Sequence, residues 1–379
     1  MKKLAIIGAS YLQLPLINKA SEMGIETHVF AWEVGDVGEK AADFFYPISI
    51  TEKDRILDKC REIGIDGICS IASDLAVITV NYVAEKMHLP GNSIHSSIVS
   101  TNKHEMRKSF ERNGDPSPKS YLIKTVDDAL NHDWDYPVII KPTDRSGSRG
   151  ITKVFSADGL RAAFQIAIES GFEKEALLEE FVEGKEYSVE CITYRGNHHF
   201  LALTKKYTTG SPHFIETGHL EPAPVNESVI NRVKKVVFHA LDSLEIKNGA
   251  SHSEIKISEK GEIRIIEIGA RMGGDFIGSD LVRESTGIDF TENVVKIAIG
   301  EKPVLEPRQS GKYTAVRFIL SKKDLEVLNI VKKEQPEIIV KEIVNEISEV
   351  DVTDSSSRFG CFIISSYKKD DIYRYLPEG

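Results

Sequence analysis

The 379-residue chain has little cysteine: Cys60, Cys69, Cys191 and Cys361 stand far apart, and no Cys-x-x-Cys pair occurs. That spacing indicates neither a disulfide framework nor a zinc knuckle, and it fits buried thiols in a reducing compartment. Basic charge is also short. Lys and Arg number 48 against 58 Asp and Glu, a formal net charge of −10, which argues against a nucleic-acid footprint and a polybasic membrane face. No stretch approaches the roughly 18 uninterrupted apolar residues of a spanning helix. The opening Met1-Lys2-Lys3-Leu4-Ala5-Ile6-Ile7 has the look of a secretory signal. However, Gln13, Asn18, Lys19 and Glu22 interrupt the apolar run, and no small-residue cleavage site follows. Internal repeats and low-complexity segments are missing too. The expectation is a cytoplasmic protein of two or three domains whose partners are small molecules, with no nucleic acid and no membrane among them.

What is present begins as an alternation of strand and helix. Strands are expected at residues 3–7, 26–31 and 67–71, and helices up to residue 23, from the cap Thr51 with Asp54 three residues on, and over 74–87. This predicts a parallel sheet with helices on both faces, a domain covering residues 1–95. Its glycine turn, Gly8-Ala9-Ser10-Tyr11-Leu12-Gln13, lacks the second and third glycines of a G-x-G-x-x-G fingerprint, so a nicotinamide site is the weaker reading. The turn serves a small substrate or structure alone. Ser73-Asp74, at the end of a strand where open α/β sheets place ligands, has the same two readings.

A helix over 101–113 leads to Gly114-Asp115-Pro116-Ser117-Pro118, whose prolines mark a boundary. Strands over 119–123, 138–141 and 151–155 follow, then a helix over 157–170, a strand over 176–182 and two long strands over 186–194 and 198–207. The run 144–150, with Ser146, Gly147, Ser148 and Gly150, reads as a phosphate-covering flap or as a plain surface turn. Residues 208–226, with three prolines and the aromatic Phe214, read as a functional loop. Residues 227–244 form an amphipathic helix, and 305–379 a smaller α+β unit.

The stretch 251–275 is the most informative. Ile255, Ile257, Ile263, Ile265 and Ile268 alternate with polar residues around a turn at Glu259-Lys260-Gly261, a hairpin pattern. Glu254 and Glu267 then oppose each other across the strands, where like charges repel. A positive group should lie between them, and a divalent cation held by two carboxylates is the simplest one. Arg271 adds a positive fork suited to phosphate or carboxylate oxygens. The bland alternative is a solvated hairpin with surface charges.

Taken in order, these motifs resemble the ATP-grasp superfamily of carboxylate ligases over nearly the whole chain. The resemblance implies an N-terminal Rossmann-like α/β domain, residues 1–95. An ATP-grasp domain, 96–304, would divide into a lid at about 115–182 and a metal-site part at 183–304, followed by an α+β subdomain, 305–379. Tyr136-Pro137-Val138-Ile139-Ile140-Lys141-Pro142 looks like the strand whose lysine reaches the α-phosphate, and Lys103 like the second nucleotide lysine. The run Ser146, Gly147, Ser148, Gly150 matches the mobile loop over the β- and γ-phosphates. In the hinge-like Glu179-Glu180-Phe181-Val182 and Glu186, the resemblance puts adenine on Glu180 and Val182, its amine near Glu179 and the ribose on Glu186. Glu254 and Glu267 match the acids for Mg²⁺ or Mn²⁺, and Arg271 the arginine at the transferring phosphate. One position departs: Gly269 stands where many members carry a metal-binding Asn.

Phe214-Ile215-Glu216-Thr217-Gly218-His219 looks most like the branch with the L-amino-acid ligases, where Glu216 and His219 would face the acceptor; His252 reads as an ordinary polar histidine. The implied activity joins a carboxylate to an amine through an acyl phosphate, releasing ADP and phosphate. Its partners are small-molecule substrates, with a homodimer left open. No enzyme nucleophile is required. A purine-precursor, carbamoyl-phosphate or biotin-carboxylase-type enzyme is the alternative, as is a non-catalytic ATP-binding relative.

Overall fold

The computed structural model describes every residue except 132, 211–213, 309–310, 349–351, 353 and 378–379. Strands β1 (Lys3–Ile7), β2 (Glu26–Ala31), β3 (Phe44–Pro47) and β4 (Gly67–Cys69) form a parallel sheet in the order β3-β2-β1-β4. Leu4 and Ile6 of β1 pack toward helices Leu14–Glu22 and Phe290–Ala298. Ala5 and Ile7 pack toward helices Lys53–Ile63 and Asp74–Met87. Burial on both faces is why β1 reads as a continuous apolar run. The short edge strand β3 and the helix Val37–Ala41 carry no usable period and were not anticipated. The expected helix over 101–113 is met by Lys103–Asn113, and a further helix before it, Ile94–Thr101, was not anticipated. Asn102 breaks the run because its side chain accepts from the backbone N–H groups of His104 and Glu105, capping the second helix.

A second sheet is antiparallel: β5 (Ser120–Ile123), β6 (Val138–Pro142), β7 (Thr152–Val154) and β8 (Ala176–Glu180), in the order β5-β8-β6-β7. Strand alternation sorts its faces. Val138, Ile140, Ala176 and Leu178 bury against Leu160, Ala163 and Phe164 of the helix Leu160–Ser170. Ile139, Lys141 and Glu179 are thereby turned to the opposite face.

The third sheet contains β9 (Lys185–Tyr194), β10 (Asn197–Thr208), β11 (Glu216–Glu221), β12 (Asn248–Ile257), β13 (Ile263–Gly269), β14 (Tyr313–Phe318), β15 (Ile339–Val344) and β16 (Gly360–Ser366). Its order is β13-β12-β9-β10-β11-β14-β16-β15, antiparallel throughout. One face packs Val189, Leu203, Ile255 and Ile265 on Val233, Val237 and Leu241 of the helix Glu227–Ser243.

The reading of 208–226 as loop is corrected here, with 211–213 outside the described residues: β11 lies inside it and joins β10 to β14. The strand was illegible because Glu216, His219 and Glu221 are buried polar residues, so no apolar alternation marks it. Strands β14 to β16 of the C-terminal segment extend this same sheet.

Candidate active site

The second and third sheets face each other across a cleft of about 1030 Å³, and every residue expected in the site lines it except Gly150 and His219. On the lid side, Lys141 of β6 and Glu179 of β8 form a buried ion pair of 2.7 Å. Glu179 also accepts from Arg107 Nε at 2.9 Å. Burial raises the Glu179 carboxyl, but Arg107 and Lys141 outweigh it and the net shift is downward. Lys141 is lowered, burial exceeding the pull of Glu179.

Lys103 opens its helix next to the Asn102 cap and reaches both sides of the cleft. Its Nζ donates to the Arg145 carbonyl and to Glu267 Oε1, each at 2.7 Å. The loop after β6 is anchored by Asp144, which accepts from the backbone N–H groups of Phe172 and Glu173. Gly147, Ser148 and Gly150 all have positive φ, 70°, 58° and 72°. At Gly150 a Cβ would lie 2.7 Å from Ser170 Cβ, so this position folds the loop instead of lining the cleft. Ser148 Oγ donates to the Phe214 carbonyl at 3.4 Å, tying the loop to the segment before β11.

The link from β8 to β9 is clamped by Gly184, whose Cβ would fall 2.6 Å from the Ile257 carbonyl oxygen. Lys256 donates to the Val182 carbonyl at 3.1 Å, and the Phe181 ring lies between Lys153 and Lys256, with the two Nζ atoms 3.4 and 4.8 Å from its centroid. Glu180 lines the cleft beside them.

On the third sheet Glu254 and Glu267 are direct cross-strand partners, as expected. A bulge follows Glu254, so Ile255 pairs with Ile265 and both isoleucines return to the core. The positive groups beside these acids are lysines. Lys206 of β10 bonds Glu254 at 2.7 Å and Glu186 at 3.0 Å and stands 3.6 Å from Glu216; Lys103 takes Glu267. Burial lowers Lys206, but its three carboxylates hold it well above its ordinary range. Glu254 moves well below the carboxylate range: burial opposes this, and Lys206 and His252 prevail. Oε2 of both Glu254 and Glu267 has no protein partner among the described residues. No group of three or more His, Cys, Asp or Glu suited to a metal is assembled among those residues. A pair of half-free carboxylates fits a hard divalent ion whose remaining ligands are water and substrate phosphate.

Arg271 is held by the N-terminal domain. Its Nε and Nη2 donate to Asp74 Oδ1 and Oδ2 at 2.9 and 3.0 Å. Despite burial, Asp74 holds the guanidinium above its usual range. The carboxyl of Asp74 is lowered in turn, Arg271 outweighing burial. Of the Ser73-Asp74 pair, Ser73 caps the helix Asp74–Met87 and Asp74 holds Arg271.

His252 departs from the ordinary role read for it. It is buried at the cleft wall against Glu190, and that carboxylate, opposing burial, pushes it up to about 9, so it carries charge near neutrality. His219 is set back from the cleft, 1% exposed, with its ring edge-on to Phe318. Burial and the nearby Lys206 push it down to about 3, leaving a neutral imidazole. Sequence reasoning missed Lys206 and Arg107. The available signal was a lysine in phase with Thr204 on a strand otherwise buried, a position where a charge requires partners.

A family model described as ATP-grasp domain matches residues 134–280. Residues 134–280 thus carry an ATP-grasp domain. The chain is 28% identical to the alanine–anticapsin ligase of Bacillus subtilis over 274 residues, 63% of this chain. The aligned part spans only 58% of that ligase's own length. The structure of the L-amino acid ligase from Bacillus licheniformis superposes with a TM-score of 0.83 at 22% identity, covering 99% of this chain and 96% of that one. Phosphoribosylglycinamide synthetase from Anaerococcus prevotii gives 0.76 at 21% identity, covering 97% and 95%. The multidomain ATP-grasp architecture expected from the motifs is met. No helix among the described residues is long and apolar enough to cross a membrane.

Proposed function

We propose that the protein joins a small carboxylate to an amine with ATP as the energy source, and that an amino acid is among its substrates. The observation that carries this reading is that one cleft gathers Glu254 and Glu267, Arg271, Lys103, Lys141 and the glycine-bearing loop. Lys141 and Lys103 bind nucleotide phosphates, and the link around Phe181 and Val182 receives the base, with Glu186 at the ribose. Glu254 and Glu267 would hold a divalent metal, which when bound would supply positive charge to the phosphates. Arg271 orients the γ-phosphate against the substrate carboxylate; the carboxylate oxygen attacks phosphorus and ADP leaves. An amine at Glu216 then attacks the acyl carbon, the amide forms and phosphate departs. Loop 144–150 excludes the water that would hydrolyse the acyl phosphate.

Gly269 favours a second reading, a nucleotide-binding module without turnover, because it supplies no side chain to a metal. ADP and phosphate release with Mg²⁺ or Mn²⁺, measured against amino acids singly and in pairs with mass spectrometry of the products, separates the two. Release with a condensed product supports the ligase. ATP binding with no release across the whole panel sinks it.

A further inference from the structure

Against Glu216 lies the short turn Ser355–Ser357, followed by Arg358, which the nucleotide chemistry does not use. Ser355 Oγ donates to Glu216 Oε2 at 2.7 Å. The Ser355 carbonyl accepts from Arg358 Nε, also at 2.7 Å. Arg358 Nη2 donates to Asp275 Oδ1 at 2.7 Å, and the guanidinium lies over the Phe318 ring, 3.7 Å from its centroid. The side chain is 6% exposed, yet Nη1 is buried with no hydrogen-bond partner among the described residues. An unpaired buried N–H of a cation is costly unless something takes it.

The surroundings narrow what that is. The Tyr11 phenol, from the N-terminal glycine turn, stands beside the guanidinium. The imidazole of His219 shares the Phe318 ring and has both nitrogens unpartnered, and Thr217 Oγ1 is likewise unpartnered. A fork on an aromatic face, flanked by neutral donors, suits a planar oxyanion. Ser355 touches Arg358 and Glu216 alike, so the fork and the carboxylate are one residue's reach apart.

We propose that Arg358 recognises the free carboxylate of an amino-acid acceptor whose amine faces Glu216. The proposal rests on the ligase reading and adds the acceptor's second anchor. It also gives the open Gly8-to-Gln13 turn a role, with Tyr11 closing the pocket from the N-terminal domain.

The test is kinetic. Each standard L-amino acid and its carboxamide serve as acceptors for wild type, Arg358→Lys and Arg358→Met, with ADP release and product mass read together. Wild type should prefer the acid at least tenfold in kcat/KM. Arg358→Met should raise KM for the acid tenfold or more, leave KM for ATP and the rate with the amide unchanged, and bring the preference near one; the lysine should restore part of it. Equal use of acid and amide by wild type overturns the proposal without any variant. So does a methionine variant that ligates with the wild-type preference, and in both cases the ligase reading stands. Failure of wild type to ligate any amino acid overturns both.

Discussion

Gly269 has a structural reason independent of any metal. An ideal Cβ there would lie 2.7 Å from Asp74 Oδ1 and 3.2 Å from Arg271 Nε. The residue sits in β13, where alanine meets no backbone strain, so the contact alone decides the outcome. In Gly269→Ala the methyl group must push Asp74 Oδ1 away, and the two-point pair with Arg271 breaks. Removing one partner of a buried ion pair costs about 3–5 kcal/mol. These side chains are 14% and 17% exposed, and one bond can persist, so about 1–3 kcal/mol is expected for the variant. The assay is a double-mutant cycle by denaturant unfolding with Asp74→Ala. Once residue 74 is alanine the shortest contact is gone and Arg271 is no longer pinned, so Gly269→Ala should lose most of its cost, a coupling of about 1–2 kcal/mol. Additive losses, with Gly269→Ala costing the same beside Ala or Asp at 74, would refute the reasoning.

Glu267→Gln should abolish ADP release by about a hundredfold or more while calorimetry still detects ATP, because Lys103 and Lys141 remain; undiminished release removes Glu267 from the metal pair. Lys206→Met leaves Glu186, Glu216 and Glu254 facing one another, so it should destabilise by about 3–5 kcal/mol, and Mg²⁺ should raise its melting temperature more than that of wild type. An equal Mg²⁺ effect on both proteins refutes the role given to Lys206. Glu221 is pushed up to about 7 by burial, opposed by Ser285 and Thr204. A carboxyl raised in the folded state contributes stability fully present below the unfolded value near 4.5 and lost as pH rises through the folded one. Glu221→Gln should therefore match wild type at pH 4.5 and exceed it by up to about 3 kcal/mol at pH 8; a gain equal at both pH values contradicts the assignment.

What the sequence disclosed was local. Glu254 and Glu267 were legible because a hairpin brings them together over thirteen residues and alternation dictates their face. The turn at 144–150 was legible through its glycines, and Gly147 and Gly150 do take left-handed backbone. Lys206 was not, since its partners come from three other strands and a lysine in a strand ordinarily reads as solvent-facing. The Asp74–Arg271 pair spans 197 residues and depends on how the N-terminal sheet docks, which no local period encodes. β11 failed for a different reason: its burial is polar, so no apolar alternation marked it as a strand.

The charges of the site balance among themselves, and this has a consequence for how ligands enter it. Cross-strand carboxylates need a positive neighbour, and here Lys206 supplies it to Glu254 and Lys103 to Glu267. Lys103 is also tied to the Arg145 carbonyl of the loop after β6, so one ammonium joins the acid of one sheet to the loop of the other. A polyphosphate drawing on Lys103 competes directly with Glu267 and leaves that carboxylate short of positive charge. A divalent cation drawing on Glu254 and Glu267 competes with both lysines and leaves them free for phosphate. On the proposed reading each ligand would thus remove an interaction that opposes the other, and their binding would be coupled through two buried lysines, with no need for a distant conformational route.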